Sequence, residues 1–262
     1  MSLLRPNSSS SNNRTAAPMM ASYRMSRPTC YQCFWPEALC WCTSIRSMDT
    51  RTKFIYLMHP KEFKREKAGT GRLAHLCLAN SEIHVGVGFD DHAAVQRLIN
   101  DSSYFPVLVY PGARARNLSK GDLIASDLGE RRLLVLLLDA TWIGSRKMLR
   151  VSPSLQRLPR VMFNAGAPSR FVIKQQPQIG CLSTLEATHE LLVTLERSGL
   201  DQYPDQAQLL ALFERMQDYQ IRCAADPARG GYRHQPYGRP EDRVPRTGRR
   251  RARRSMYLPT PA

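Results

Sequence analysis

The stretch from Leu133 to Arg150, LLVLLLDATWIGSRKMLR, limits the fold more than any other part of this chain. Leu133 to Leu138 is an unbroken apolar run, short for a helix and without the alternation of a half-exposed strand. Such a run fits a strand covered on both faces, as in a parallel sheet. It stops at Asp139, and Thr141 to Arg150 then carries helix formers and three basic residues. Asp139, Ala140, Thr141 and Trp142 are thus expected at the carboxyl end of a buried strand, the edge at which open α/β sheets bind ligands. Two readings stay open for them. Asp139 or Thr141 can cap the free amides of the first helical turn, and Trp142 can be a packing residue instead of a ligand platform.

The neighbouring segments repeat the rhythm. Lys53 to His59, Ile83 to Val87 and Pro106 to Tyr110 read as strands, with helices expected over Arg72 to Ala79 and His92 to Asn100. Alternation of this kind predicts a largely parallel α/β sheet. Pro159 to Phe163 and Arg170 to Ile173 are further short extended candidates, and Tyr110-Pro111-Gly112 punctuates a strand end. Gly86-Val87-Gly88 lacks the full glycine pattern of a dinucleotide loop, which excludes a nicotinamide site there. Ser183, three residues before Glu186, is a capping box opening a helix to about Arg197. Gln206 to Cys223 is a last amphipathic helix.

Cys30-Tyr31-Gln32-Cys33 and Cys40-Trp41-Cys42 bring four thiols into two close pairs, a set that suits one tetrahedral zinc. Unpaired structural cysteines or a redox pair are the alternatives. Phe34, Trp35 and Trp41 would form a small apolar cap around the ion. The boundaries expected are a disordered leader over 1–26, a four-cysteine module over 27–48, a catalytic domain over 49–224 and a basic disordered tail over 225–262. Met19, Met20 and Met25 each offer an alternative start.

The formal net charge of +16 over 262 residues points to a polyanionic partner, most simply nucleic acid. From Pro227 onward ten arginines face only Glu241 and Asp242, so this segment carries a net +8, half of the excess. It is expected to bind nucleic acid without sequence selectivity, although arginine clusters also serve as solubility tails. No apolar stretch approaches the length of a membrane span, and no apolar secretory segment opens the chain. Cysteine usage suits a reducing, cytoplasmic setting. Lys61, Lys64, Arg65, Lys67 and Arg72 crowd the loop after the first strand, where RNA phosphates would dock. His59 and Glu62 in the same segment could simply hydrogen-bond locally.

Asp139-Ala140-Thr141-Trp142 after an apolar strand, followed by Ser145-Arg146-Lys147-Met148-Leu149, resembles the signature of the DTW-domain family. Other segments agree in the same order: the cysteine cluster, His59-Pro60-Lys61-Glu62, Thr70-Gly71-Arg72, Tyr110-Pro111, and Ser183-Thr184-Leu185-Glu186-Ala187. That family comprises tRNA-uridine aminocarboxypropyltransferases related to the SPOUT RNA enzymes. The resemblance implies a three-layer SPOUT-like α/β sheet, with a trefoil knot that hydrophobic periodicity could not reveal. It implies S-adenosylmethionine as co-substrate and tRNA as acceptor, with a structural zinc in the cysteine cluster. Asp139 becomes the candidate general base. Tyr110, Gly112, Thr141, Trp142, Ser183, Thr184 and Glu186 become candidate cofactor contacts, and Arg146 and Lys147 join the candidate RNA contacts. A SPOUT-like methyltransferase, or a non-catalytic RNA-binding protein built from a zinc module and an arginine-rich tail, are the rival readings.

Overall fold

The computed structural model describes residues 28–37, 40–65, 69–174 and 180–226. The expected leader, the basic tail from Pro227, Lys67 and the side chain of Arg65 lie outside the described residues. The chain divides into two compact units between Cys40 and Trp41.

In the first unit Cys30 to Cys33 forms a turn, with the Phe34 amide donating to the Cys30 carbonyl at 2.8 Å. Cys33 and Trp35 are buried. Phe34 does not join them as expected: its φ of 60° lies in the left-handed region, and its ring is 48% exposed. A β-carbon is disfavoured in that backbone region, so the turn geometry has prevailed over burial of the ring.

The second unit is organised by a six-stranded sheet in the order β2-β1-β5-β3-β6-β4. The strands are β1 (Lys53–Met58), β2 (Ser81–Val85), β3 (Tyr104–Val109), β4 (Arg116–Asn117), β5 (Arg132–Asp139) and β6 (Arg160–Met162). Every pairing is parallel. The apolar run expected to be covered on both faces is β5, central between β1 and β3 and buried from Leu133 to Leu137.

Strand alternation sends Ile55, Leu57, Leu108, Leu134 and Leu136 to one face. There they pack with Val95 of α3 (Ala93–Ile99), Met148 and Leu149 of α5 (Trp142–Arg150), and Leu155 of α6 (Pro153–Gln156). The opposite face carries α2 (Thr70–Leu76), α7 (Thr184–Arg197) and α8 (Gln206–Ala225). On that face the Tyr56 hydroxyl meets the Thr188 hydroxyl at 3.1 Å, both buried. These are the three layers expected.

Two local expectations change, and two short helices were not expected at all. The basic segment after β1 is not a loop: Pro60 starts helix α1 (Pro60–Arg65) at the position where its missing N–H costs nothing. The short helices α4 (Ala125–Leu128) and α6 carry too few residues for a periodic signal. Arg170 to Ile173 is not a strand. The Arg170 amide donates to the Glu186 carboxylate and the Val172 amide to the Gln217 side chain, so helices α7 and α8 hold this segment instead of a sheet neighbour.

Candidate active site at the carboxyl edge of the sheet

A cavity of about 280 Å³ opens at the carboxyl ends of β3, β5 and β6. Val109, Leu137 and Val161 give it an apolar floor, and Tyr110, Pro111 and Trp142 wall it. Phe163 to Ala165 close another side, Gly180 and Leu182 come from the segment leading into α7, and Thr184 and Ala187 from its first turn. The position follows from the topology. Each parallel strand delivers its following loop to the same edge, and the central strand delivers the deepest one.

Asp139 ends β5 and is 7% exposed. Alternation places it on the α7 face, and the Thr184 hydroxyl donates to its Oδ1 at 2.6 Å. Its carboxylate also lies against Gly71 of α2: a β-carbon there would stand 2.2 Å from Oδ2. Glycine at position 71 is therefore a condition for seating the acid. Capping of α5 falls to Thr141, whose hydroxyl accepts from the Gly144 amide at 3.1 Å. Asp139 sits beside the cavity wall, while Trp142 and Thr184 line the cavity itself.

The head of α7 is a closed polar junction. The Ser183 amide donates to Glu186 at 2.9 Å and the Glu186 amide to the Ser183 hydroxyl at 3.3 Å, completing the expected capping box. The same carboxylate accepts from the Ser169 hydroxyl at 2.8 Å and the Arg170 amide at 2.7 Å. Ser183 and Glu186 are both buried and are not among the residues that line the cavity. Of the candidate cofactor contacts, Tyr110, Trp142 and Thr184 come together around the cavity. Gly112 lies just beyond, where a β-carbon would meet Arg160 at 3.7 Å.

The candidate RNA contacts separate by exposure. Lys61 and Lys64 on α1 and Arg146 and Lys147 on α5 are exposed. Arg72 is not: it is 7% exposed, its guanidinium donates to the Phe63 carbonyl at 3.3 Å, and it lies 5.0 Å from the centre of the Phe63 ring. Burial corrects the expectation that it offers its charge to solvent; here it braces α1 against α2. Glu62 pairs with Lys174 at 3.7 Å, so its side chain is not the partner of His59. The His59 ring instead accepts the Lys61 amide at Nδ1, 3.1 Å away.

The four thiols of Cys30, Cys33, Cys40 and Cys42 lie within 4.8 Å of one another, with Cys33 and Cys40 at 3.8 Å. Zinc–sulfur bonds of about 2.3 Å in a tetrahedron require sulfurs about 3.8 Å apart, so the set fits such an ion. Backbone hydrogen bonds at Cys33 and Gln32, with the Cys40 thiol, lower the Cys30 thiol to about 6, favouring the thiolate a metal binds. Arg215 of α8 lies 5.1 Å from the Trp41 ring centre.

The contribution of Phe163 to Ala165 and of Gly180 to the cavity was not expected from the sequence, whereas Leu182 and Ala187 flank or belong to the Ser183–Ala187 string. The extended reading of Pro159 to Phe163 held the signal, since a parallel strand ending there delivers its loop to the ligand edge. His59 was likewise visible as a residue next to a strand end, and Ser145 as part of the helix that follows the central strand.

A family model described as the DTW domain matches residues 27–221. A Drosophila melanogaster protein named tRNA-uridine aminocarboxypropyltransferase 2 is 30% identical over 177 residues, 65% of this chain and 67% of that protein. A Mus musculus protein of the same name is 30% identical over 207 residues, 76% of this chain and 68% of its own length. No solved structure matches the chain. With the DTW segment at the end of the central strand and the match spanning both units, the chain belongs to the DTW domain family and is a transferase.

Proposed function

We propose that this chain transfers the 3-amino-3-carboxypropyl group of S-adenosylmethionine to a ring nitrogen of a uridine in tRNA, releasing methylthioadenosine. The observation that carries the reading is the cavity at the strand ends, flanked by Asp139 and walled by Trp142 of the family segment. Its apolar floor and few convergent hydroxyls suit a small organic donor. The names of the relatives supply the group transferred and the acceptor.

The sulfonium of the donor makes each of its attached carbons electrophilic, so geometry selects the one that reacts. Here the amino-acid limb must face the RNA. The uridine nitrogen forms its bond to the limb's sulfur-bound methylene as that carbon–sulfur bond breaks, and the electron pair stays on sulfur as a neutral thioether. Asp139 accepts the imide proton, a service worth about 10²- to 10⁴-fold. The Thr184 hydroxyl and the bare face of Gly71 fix the carboxylate for this role. Trp142 packs beside the donor and offers its ring face to the positive sulfur. The exposed Lys61, Lys64, Arg146 and Lys147 dock tRNA phosphates; Arg65, Lys67 and the arginine-rich tail, outside the described residues, add to the same basic charge.

The cysteine cluster holds a structural zinc in this reading, which couples the fold of that module to the metal. The arrangement of loops around the donor is of SPOUT type, with the chain knotted there. The reduced thiols suit a cytoplasmic site of action. Among the described residues no helix is long and apolar enough to cross a membrane. Nucleoside mass spectrometry of tRNA from cells with and without the gene tests the function. Loss of an aminocarboxypropyl-uridine in the deleted strain is expected; loss of a methylated nucleoside instead would favour a methyltransferase, and an unchanged profile would favour a non-catalytic RNA binder.

A further inference from the structure

His59 follows β1, directly beside the end of β5: its amide donates to the Asp139 carbonyl at 2.9 Å. Alternation turns its side chain to the α5 face of the sheet, opposite to Asp139. There its Cδ2 lies 3.8 Å from where a β-carbon of Gly144 would stand. Gly144 precedes Ser145 and follows Trp142 and Ile143, and both Trp142 and Ser145 line the cavity.

The Lys61 amide donates to Nδ1, which fixes the neutral ring in the tautomer with its proton on Nε2. Among the described residues, nothing takes that Nε2–H. Burial, together with the charges of Lys61 and Lys147, lowers the His59 pKa below its ordinary value, so the ring is a neutral donor at physiological pH. The charged groups around it are Lys61 and Glu62 from α1, Lys147 from α5 and Asp139 from β5. Of these, Glu62 pairs with Lys174, and the Asp139 carbonyl accepts the His59 amide.

We propose that His59 is a catalytic residue: its Nε2–H donates to a carbonyl oxygen of the bound uracil and stabilises the negative charge that develops as the ring nitrogen loses its proton, in the positive field of Lys61 and Lys147. This rests on the uridine-transfer reading above. When the imide proton passes to Asp139, the charge left behind spreads over the nitrogen and its flanking carbonyl oxygens. A uracil bound across the sheet edge would offer its imide proton to the acid and, in the same plane, a flanking carbonyl oxygen to the histidine. A neutral N–H donor suits this task, because it does not have to give up its own proton. The histidine ends the step unchanged.

The test is steady-state transfer to tRNA by the full-length protein with His59→Asn and His59→Gln, measured across pH. Asparagine removes the distal N–H, whereas glutamine extends an amide N–H toward the same place. His59→Asn is expected to lower kcat by about 10²- to 10³-fold, leaving the KM for tRNA and S-adenosylmethionine binding within about threefold. His59→Gln should recover about a tenth or more of the lost rate. The His59→Asn deficit should shrink as pH rises toward ionisation of the uridine imide, because the stabilised charge then already exists. A deficit equal at every pH, or a loss confined to the KM for tRNA as for a phosphate contact, would overturn the proposal. A wild-type protein that transfers nothing overturns the parent reading first, and this proposal with it.

Discussion

The heads of α5 and α7 meet the same sheet edge but differ in what they leave available. At α7, Glu186 accepts from Ser183, Ser169 and Arg170, and Ser183 returns a bond to the Glu186 amide. This junction is buried, and its donors and acceptors answer one another. At α5, Thr141 caps the helix, but Arg146 and Lys147 extend into solvent. The nearby His59 ring, whose Nδ1 accepts the Lys61 amide, leaves its Nε2 side without a partner among the described residues. Asp139 stands between the two. The α7 side holds its carboxylate through Thr184, while the α5 side carries the cations. A signature residue can therefore serve as scaffold or as chemistry, and only its partners tell which.

That division is easiest to break at Asp139. Asp139→Asn keeps the shape and a bond to Thr184 but cannot accept a proton, and should lower transfer by about 10²- to 10⁴-fold with donor binding retained. Methylthioadenosine release and calorimetric titration of S-adenosylmethionine measure the two. Gly71→Ala should come next. Its β-carbon would displace the Asp139 carboxylate, so activity should fall by about tenfold to a hundredfold, with about 1–3 kcal/mol lost from overpacking. Activity together with a urea melt separates those effects.

Glu186→Ala should show the opposite balance. Leaving the Ser183 and Arg170 amides without their acceptor should cost about 2–4 kcal/mol of stability, while the folded fraction keeps kcat within about threefold. A large kcat loss at full folding would move Glu186 from scaffold to chemistry. The smallest effect is expected from Arg146→Ala, which should weaken tRNA binding by about threefold and reduce the slope of log affinity against log salt by about one. An unchanged slope would remove Arg146 from the RNA face.

Much of this arrangement was legible in the chain itself. The unbroken run Leu133 to Leu138 has no polar residue to face water, so its place in the middle of the sheet followed from composition alone. Ser183 and Glu186 announced their mutual bonds by spacing, because capping is local. Arg72 was misread because charge in a sequence says nothing about whether a neighbouring ring and carbonyl cover it. Phe34 was misread because a turn around two cysteines fixes its backbone before hydrophobicity can act. The approach of Gly71 to Asp139 joins residues far apart in the chain, and no local pattern encodes it. His59 looked like a lone histidine until strand order put it next to the end of β5.

The reaction is defined by which limb of the donor reaches the RNA. S-adenosylmethionine labelled in the methyl group with one isotope and in the amino-acid carbons with another, incubated with this protein and tRNA, reports it directly. Transfer of the amino-acid label to uridine, with the methyl label recovered in methylthioadenosine, is the predicted result. Methyl label in the tRNA, with adenosylhomocysteine as the by-product, would contradict it.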